Sequence, residues 1–239
     1  GGNGRGNYCV VNPLVKSYYA PNIDNGNIRS TGNVSGWVET HGSMAVTSGK
    51  YYWEITAWDQ YEMPGVNSET YITGQVDPHT RTGSLVWYGS TGAVWVNGSP
   101  TGTNLGTFTT NDVIGIALDK DANTIQFYKN NSAAGSTQSL ATPIGSNAAV
   151  PCLFVSGTTS SYRYWNFGQR PFTYTPPTGY KALNTQNLPD ATITNGAQYM
   201  AAVTYSGDST YPRTITNGGN NPLGTTFYPD LVWQKWYLV

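Results

Sequence analysis

The stretch that most constrains this chain is "NDVIGIALDKDANTIQFYKNN", residues 111–131. Val113, Gly115, Ala117 and Asp119 fall on one side of a two-residue period, and Ile114, Ile116 and Leu118 fall on the other. "DKDAN" supplies the turn residues. Ile125 and Phe127 then continue outward with Tyr128 on the opposite face, so the segment reads as a β-hairpin. The same alternation recurs in short windows, punctuated by "NG" at 25, 97, 195 and 217 and by "SG" at 35, 48, 156 and 206. Regular short strands with such punctuation indicate an all-β sandwich or barrel. A second strand pair surrounds "AVPCLFVSGTTSSYRYWNFG", with Tyr162, Tyr164 and Asn166 on one face and Arg163, Trp165 and Phe167 on the other. "QRPFTYTPPTGYKALNTQNLP" follows; its four prolines exclude a central strand and predict an extended segment closing over the domain's edge. Only "NTQNLPDATITNGAQYMAAV" has room for a helical turn or two, and Pro189 interrupts it. Beyond Pro189 three more strands are expected, ending on the apolar run "WQKWYLV", which needs a covering subunit or a continuing chain.

Charge narrows the function classes. Charged residues make up 10% of the 239 and the formal net charge is −1, so no basic surface draws the chain to nucleic acid or acidic lipid. No apolar run reaches the roughly 18 residues of a membrane helix, and "GGNGRGNY" has no signal-like pattern. Cys9 and Cys152 read better as buried thiols than as a disulfide framework.

Three chemical readings can be tested on spacing. "SGKYYWEITAWDQYE", residues 48–62, sets Glu54, Asp59 and Glu62 among aromatic rings, as a sandwich glycanase with a Glu-x-Asp-x-x-Glu strand would. Such acids must share a face and lie roughly 5 to 9.5 Å apart. Glu54 and Asp59 are an odd number of residues apart and so point to opposite faces, about 16 Å from each other along a strand. Glu62 adjoins Met63-Pro64-Gly65, where a turn is expected. The alternation sends Trp53, Ile55 and Ala57 to the core and leaves Glu54 and Thr56 on the other face. "DKDAN" aligns Asp119, Asp121 and Asn123 with a calcium loop, but Thr124 and Asn130 replace its glycine and glutamate, and a hairpin turn explains the acids better. "GSMAVTSGK" has the wrong gap for a phosphate loop. His41 and His79 stand alone, so neither a metal site nor nucleophilic hydrolysis is supported. No catalytic residue, metal or cofactor is therefore expected. Tyr61, Tyr71, Trp87, Tyr88 and Trp95 remain, in or near the Gly-rich stretch 60–100. Of these, Trp87, Tyr88 and Trp95 are the candidate ligand contacts, since Tyr and Trp offer rigid amphipathic area. Leu231, Trp233 and Trp236 in the terminal run are the candidate oligomer contacts.

Four stretches in order resemble the SPRY family, a concanavalin A-like sandwich found in eukaryotic adaptor proteins and in virion proteins of tailed bacteriophages. They are "SGKYYWEI", "DVIGIALDKDANTIQFYKN", "VPCLFV" and "YRYWNFGQRPFTYTPPTGYKALNTQNLP". "PPTGYKALNTQNLP" is similar in particular to phage versions, and "FYPDLVWQKW" resembles the start of a second sandwich in such chains. The resemblance implies two antiparallel sheets packed face to face. It divides the chain into an N-terminal arm (1–7), a sandwich (8–189) and a β-rich extension or start of a second sandwich (190–239). It also implies a non-catalytic structural protein of a phage fibre, tail or capsid appendage, found in the virion, homo-oligomeric, and contacting other virion subunits or a host surface glycan. Alternatives are a lectin-like glycan-binding module of a secreted or cell-surface protein, or a glycanase.

Overall fold

The computed structural model describes residues 6–15, 21–32, 36–72, 77–156 and 162–189, together with 199, 200, 202, 212, 231 and 232. The backbone divides into two compact units, Gly1–Pro189 and Asp190–Val239. In the second unit the few described residues include Leu231 and Val232, both exposed. Trp233 and Trp236, and the strands expected beyond Pro189, lie outside the described residues.

The first unit contains β1 (Ile23–Asp24), β2 (Arg29–Thr31), β3 (Val38–His41), β4 (Lys50–Thr56), β5 (Glu62–Ser68), β6 (Ser84–Trp87), β7 (Ala93–Val96) and β8 (Ser99–Asn104). It continues with β9 (Val113–Asp119), β10 (Thr124–Lys129), β11 (Ser132–Ala133), β12 (Gln138–Ser139), β13 (Ala149–Val155), β14 (Tyr162–Asn166) and β15 (Lys181–Ala182). A single 3-10 turn, Glu69–Tyr71, is the only helical element among the described residues. One sheet runs β1-β2-β14-β4-β9-β10-β11, with β12 on β10 and β15 on β4; the other runs β3-β13-β5-β6-β7-β8. All pairings are antiparallel except that of β15 with β4. Of the sandwich and the barrel that the alternation allows, the fold is the two-sheet sandwich that the resemblance implies.

Each strand's inward set builds the core. Tyr51, Trp53 and Ile55 of β4, Ile114, Ile116 and Leu118 of β9, and Trp165 of β14 meet Val66, Leu85, Trp87 and Leu153 from the opposite sheet. The expected β9–β10 hairpin forms, with Asp119 paired against Thr124. Its acids are used in structural bonds. Asp119 accepts the N–H groups of Asp121 (3.1 Å) and Ala122 (2.9 Å) and pairs with Lys50 Nζ at 2.8 Å, while Asp121 accepts the Gly49 N–H at 2.7 Å. Cys9 and Cys152 are separate buried thiols, and burial pushes Cys9 up to about 11.

Two expectations are corrected. Glu62 to Gly65 is strand, the buried start of β5, and not a turn. Pro64 is tolerated there because the ladder with β6 begins only at Gly65, so the missing N–H falls where one flank has already ended. The proline-rich segment, expected at an edge, instead crosses the outer face of the nine-stranded sheet. It returns as β15 beside Tyr51 and Tyr52, along the edge of β4 that β14 vacates after Glu54.

Candidate functional site

The three acids of residues 48–62 do not converge. Glu54 is buried on the outer face of β4, where its carboxylate accepts the Thr173 N–H (2.8 Å), the Tyr174 N–H (2.9 Å) and the Tyr52 hydroxyl (3.3 Å). It tethers the proline-rich strap. Glu62 lies on the other sheet and points inward to Arg163, which is fully buried; Arg163 Nε donates to Glu62 Oε1 at 2.6 Å. The same oxygen accepts the N–H groups of Trp58 (2.9 Å) and Asp59 (3.2 Å). Asp59 accepts the Tyr61 N–H at 2.7 Å and lies 3.4 Å from Arg163 Nη2. Burial pushes the Glu62 carboxyl up to about 7, against the pull of Arg163. These contacts hold the 57–62 loop in one shape, with Trp58 43% and Tyr61 47% exposed.

That loop adjoins a row of rings on the outer face of the six-stranded sheet. Trp95 meets His79 edge-on at 4.8 Å, His79 meets Trp37 at 5.7 Å, and Trp37 meets Tyr88 at 5.7 Å. Burial, with the nearby Tyr61 and Asp59, pushes the Tyr88 hydroxyl up. Trp37, Tyr88 and Trp95 are half-buried and pack on Met63, Val86, Cys152 and Phe154. The row thus brings together Tyr88 and Trp95 of the three predicted contacts.

Trp87 does not join them and is corrected as a ligand contact. Alternation in β6 turns Leu85 and Trp87 to the core, where Trp87 packs on Phe108 and Phe127 and donates Nε1–H to the Gly106 carbonyl at 2.9 Å. Trp37 and His79 were missed. Trp37 was findable: in "WVETH" it is in phase with Glu39 and His41. His79 lies in a coil segment whose position only the folded chain determines.

Beneath the row lies a buried polar network. Glu39 Oε1 accepts the Asn67 amide and lies 2.9 Å from His41 Nε2 and 3.1 Å from Arg81 Nη2, and the Cys152 thiol donates to Asn67 Oδ1 at 3.3 Å. Removing either charge of such a buried pair is costly, so Arg81 pins residues 77–83 onto the sheet. Among the described residues no group of three or more His, Cys, Asp or Glu is placed to hold a metal ion.

The SPRY domain pattern matches residues 50–166. The SPRY domain of human HERC1 superposes with a TM-score of 0.55 at 20% identity, covering 67% of this chain and 99% of that one. The TRIM65 PSpry domain gives 0.51 at 15%, covering 66% and 88%. A further human SPRY domain gives 0.50 at 16%, covering 63% and 97%. At these identities the likeness shows the fold alone. No curated protein matches the chain.

Proposed function

We propose that this chain, which carries a SPRY domain, uses it as a non-catalytic module that binds another protein through Trp37, Tyr88 and Trp95, flanked by Trp58 and Tyr61. The observation that carries this reading is the row itself: half-buried rings packed edge-on against one another on the outer sheet face, beside a loop fixed by a buried ion pair. Rigid aromatic area of this kind loses little conformational entropy on binding and is the usual centre of an interface. The carboxylates that could have served catalysis are occupied by backbone N–H groups and Arg163.

The finer proposal is a structural subunit of a phage particle that contacts its neighbouring subunits. Its support is the similarity of "PPTGYKALNTQNLP" and "FYPDLVWQKW" to phage chains. Cross-linking mass spectrometry on purified particles tests both levels. Cross-links from the 57–62 and 88–92 loops to a neighbouring subunit, lost together with incorporation in a Trp37→Ala, Tyr88→Ala variant of unchanged melting temperature, are expected. Normal incorporation of that variant would overturn the assigned surface. Absence of the chain from particles would overturn the phage reading and leave the module to be tested against other partners.

A further inference from the structure

The opposite face of the sandwich carries a second feature, independent of the aromatic row. Between the nine-stranded sheet and the proline-rich strap lies a groove of about 260 Å³, lined by Tyr52, Tyr128, Asn131, Thr175 and Pro177. Its construction is specific. Tyr52 of β4 and Tyr128 of β10 stand on either side of β9, where Tyr128 pairs with Gly115. A methyl group at position 115 would come 2.5 Å from the Tyr52 hydroxyl. Glycine at that central-strand position therefore lets the Tyr52 ring lie down across the sheet and leaves room beside Tyr128. The Tyr52 ring is fixed edge-on against Phe172 at 5.1 Å, and the Glu54 bonds to Thr173 and Tyr174 fix the strap that brings Thr175 and Pro177. Asn131 sits in the two-residue turn between β10 and β11, where Asn130 and Asn131 both have positive φ (48° and 72°).

The chemistry of this lining selects a ligand class. None of the five side chains is charged, and the adjacent Glu54 carboxylate is already met by three donors, so a charged ligand finds no counter-charge. The walls offer aromatic faces and a proline ring; the rim offers an amide, an alcohol and phenols, which both donate and accept. An apolar face edged by hydroxyls is the shape of a pyranose ring, and a volume below the roughly 300–1,000 Å³ of drug-sized pockets admits one ring and no folded segment. We propose that this groove binds a single neutral sugar ring of a glycan, stacked on Tyr128 and hydrogen-bonded by Asn131 and Thr175.

The test is an NMR titration of the whole chain, labelled with ¹⁵N, against glucose, galactose, mannose and N-acetylglucosamine at millimolar concentrations. Saturable shifts confined to the amides of Gly115, Asn131 and Thr175 are expected for at least one sugar. Asn131→Gly, which keeps the turn and removes the amide, and Tyr128→Ala should each weaken that binding about tenfold, roughly 1.4 kcal/mol. Tyr88→Ala should leave it unchanged, which separates this site from the protein-binding row. No saturable shift with any of the four sugars, shifts unaltered by both groove variants, or saturation of the groove by a proline-rich peptide in preference to every sugar would each overturn the assignment.

Discussion

Arg163→Met is the most informative single change, because Arg163 is fully buried and spans the two sheets to Glu62. Methionine fills much the same volume and removes the cation. The Glu62 carboxyl, raised from an ordinary 4.5 to about 7 even with Arg163 beside it, is then left without its partner. Stripping one member from a buried pair costs about 3–5 kcal/mol, and the full cost is expected at pH 8, where Glu62 is ionised. At pH 5 the folded protein holds a proton on Glu62, so the loss should shrink. The wild-type protein has its own signature. A folded-state value above the unfolded one means that the contribution of Glu62 is whole below pH 4.5 and is lost as pH rises to about 7. At about 1.4 kcal/mol per pH unit this comes to about 3 kcal/mol. Urea unfolding followed by tryptophan fluorescence at pH 5, 6, 7 and 8 measures both effects. Glu62→Gln keeps an acceptor for the Trp58 and Asp59 N–H groups, and the double variant should recover at least about 2 kcal/mol of the Arg163→Met loss at pH 8. Equal losses at pH 5 and pH 8, together with additivity of the two substitutions, would refute the account.

Three further outcomes follow from the same geometry. Glu54→Gln weakens the charge-assisted bonds to Thr173 and Tyr174 and should cost about 1.5–3 kcal/mol, with amide exchange at 173 and 174 accelerating while the core strands stay protected. Trp87→Ala and Tyr88→Ala are adjacent but unequal: denaturant melts should show about 3–5 kcal/mol lost for the core ring and less than about 1.5 for the half-exposed one. Asp119 is partly desolvated, but its bonds from Lys50, Ala122 and Asp121 outweigh that and hold it below its usual range. Its contribution is therefore present at neutral pH and lost on acidification below the ordinary carboxylate value, and Lys50→Met should flatten that acid limb in a pH-dependent thermal melt.

How far the sequence reaches can be judged residue by residue. The period-2 alternation of "KYYWEIT" was enough to assign Trp53 and Ile55 to the core, and that of "VIGIALD" to put Ile114, Ile116 and Leu118 on one face, because which face a side chain takes is a local property of an extended backbone; alternation alone left sandwich and barrel both open, and the two packed sheets were what the family resemblance implied. The same rule, applied to "SLVW", would have sent Trp87 inward; treating 60–100 as irregular loop hid it. Turn chemistry at "DKDAN" was local too, and the expected hairpin formed. What alternation cannot say is whether the face away from the core meets water. Glu54 and Glu39 both sit on such faces and are buried, one under the strap and the other beneath the residues that Arg81 anchors. Those covers come from segments well over a hundred residues away in one case and some forty in the other. Pro64 was misread for a related reason: its cost depends on whether a neighbouring ladder is still running at that position, which only the pairing of β5 with β6 decides. The aromatic row, the groove beside Tyr128 and the burial of Glu62 against Arg163 are likewise products of long-range packing. Sequence pattern determined which residues could face outward; the tertiary structure alone decided which of them were covered, and by what, because covering a sheet face is an act of distant chain.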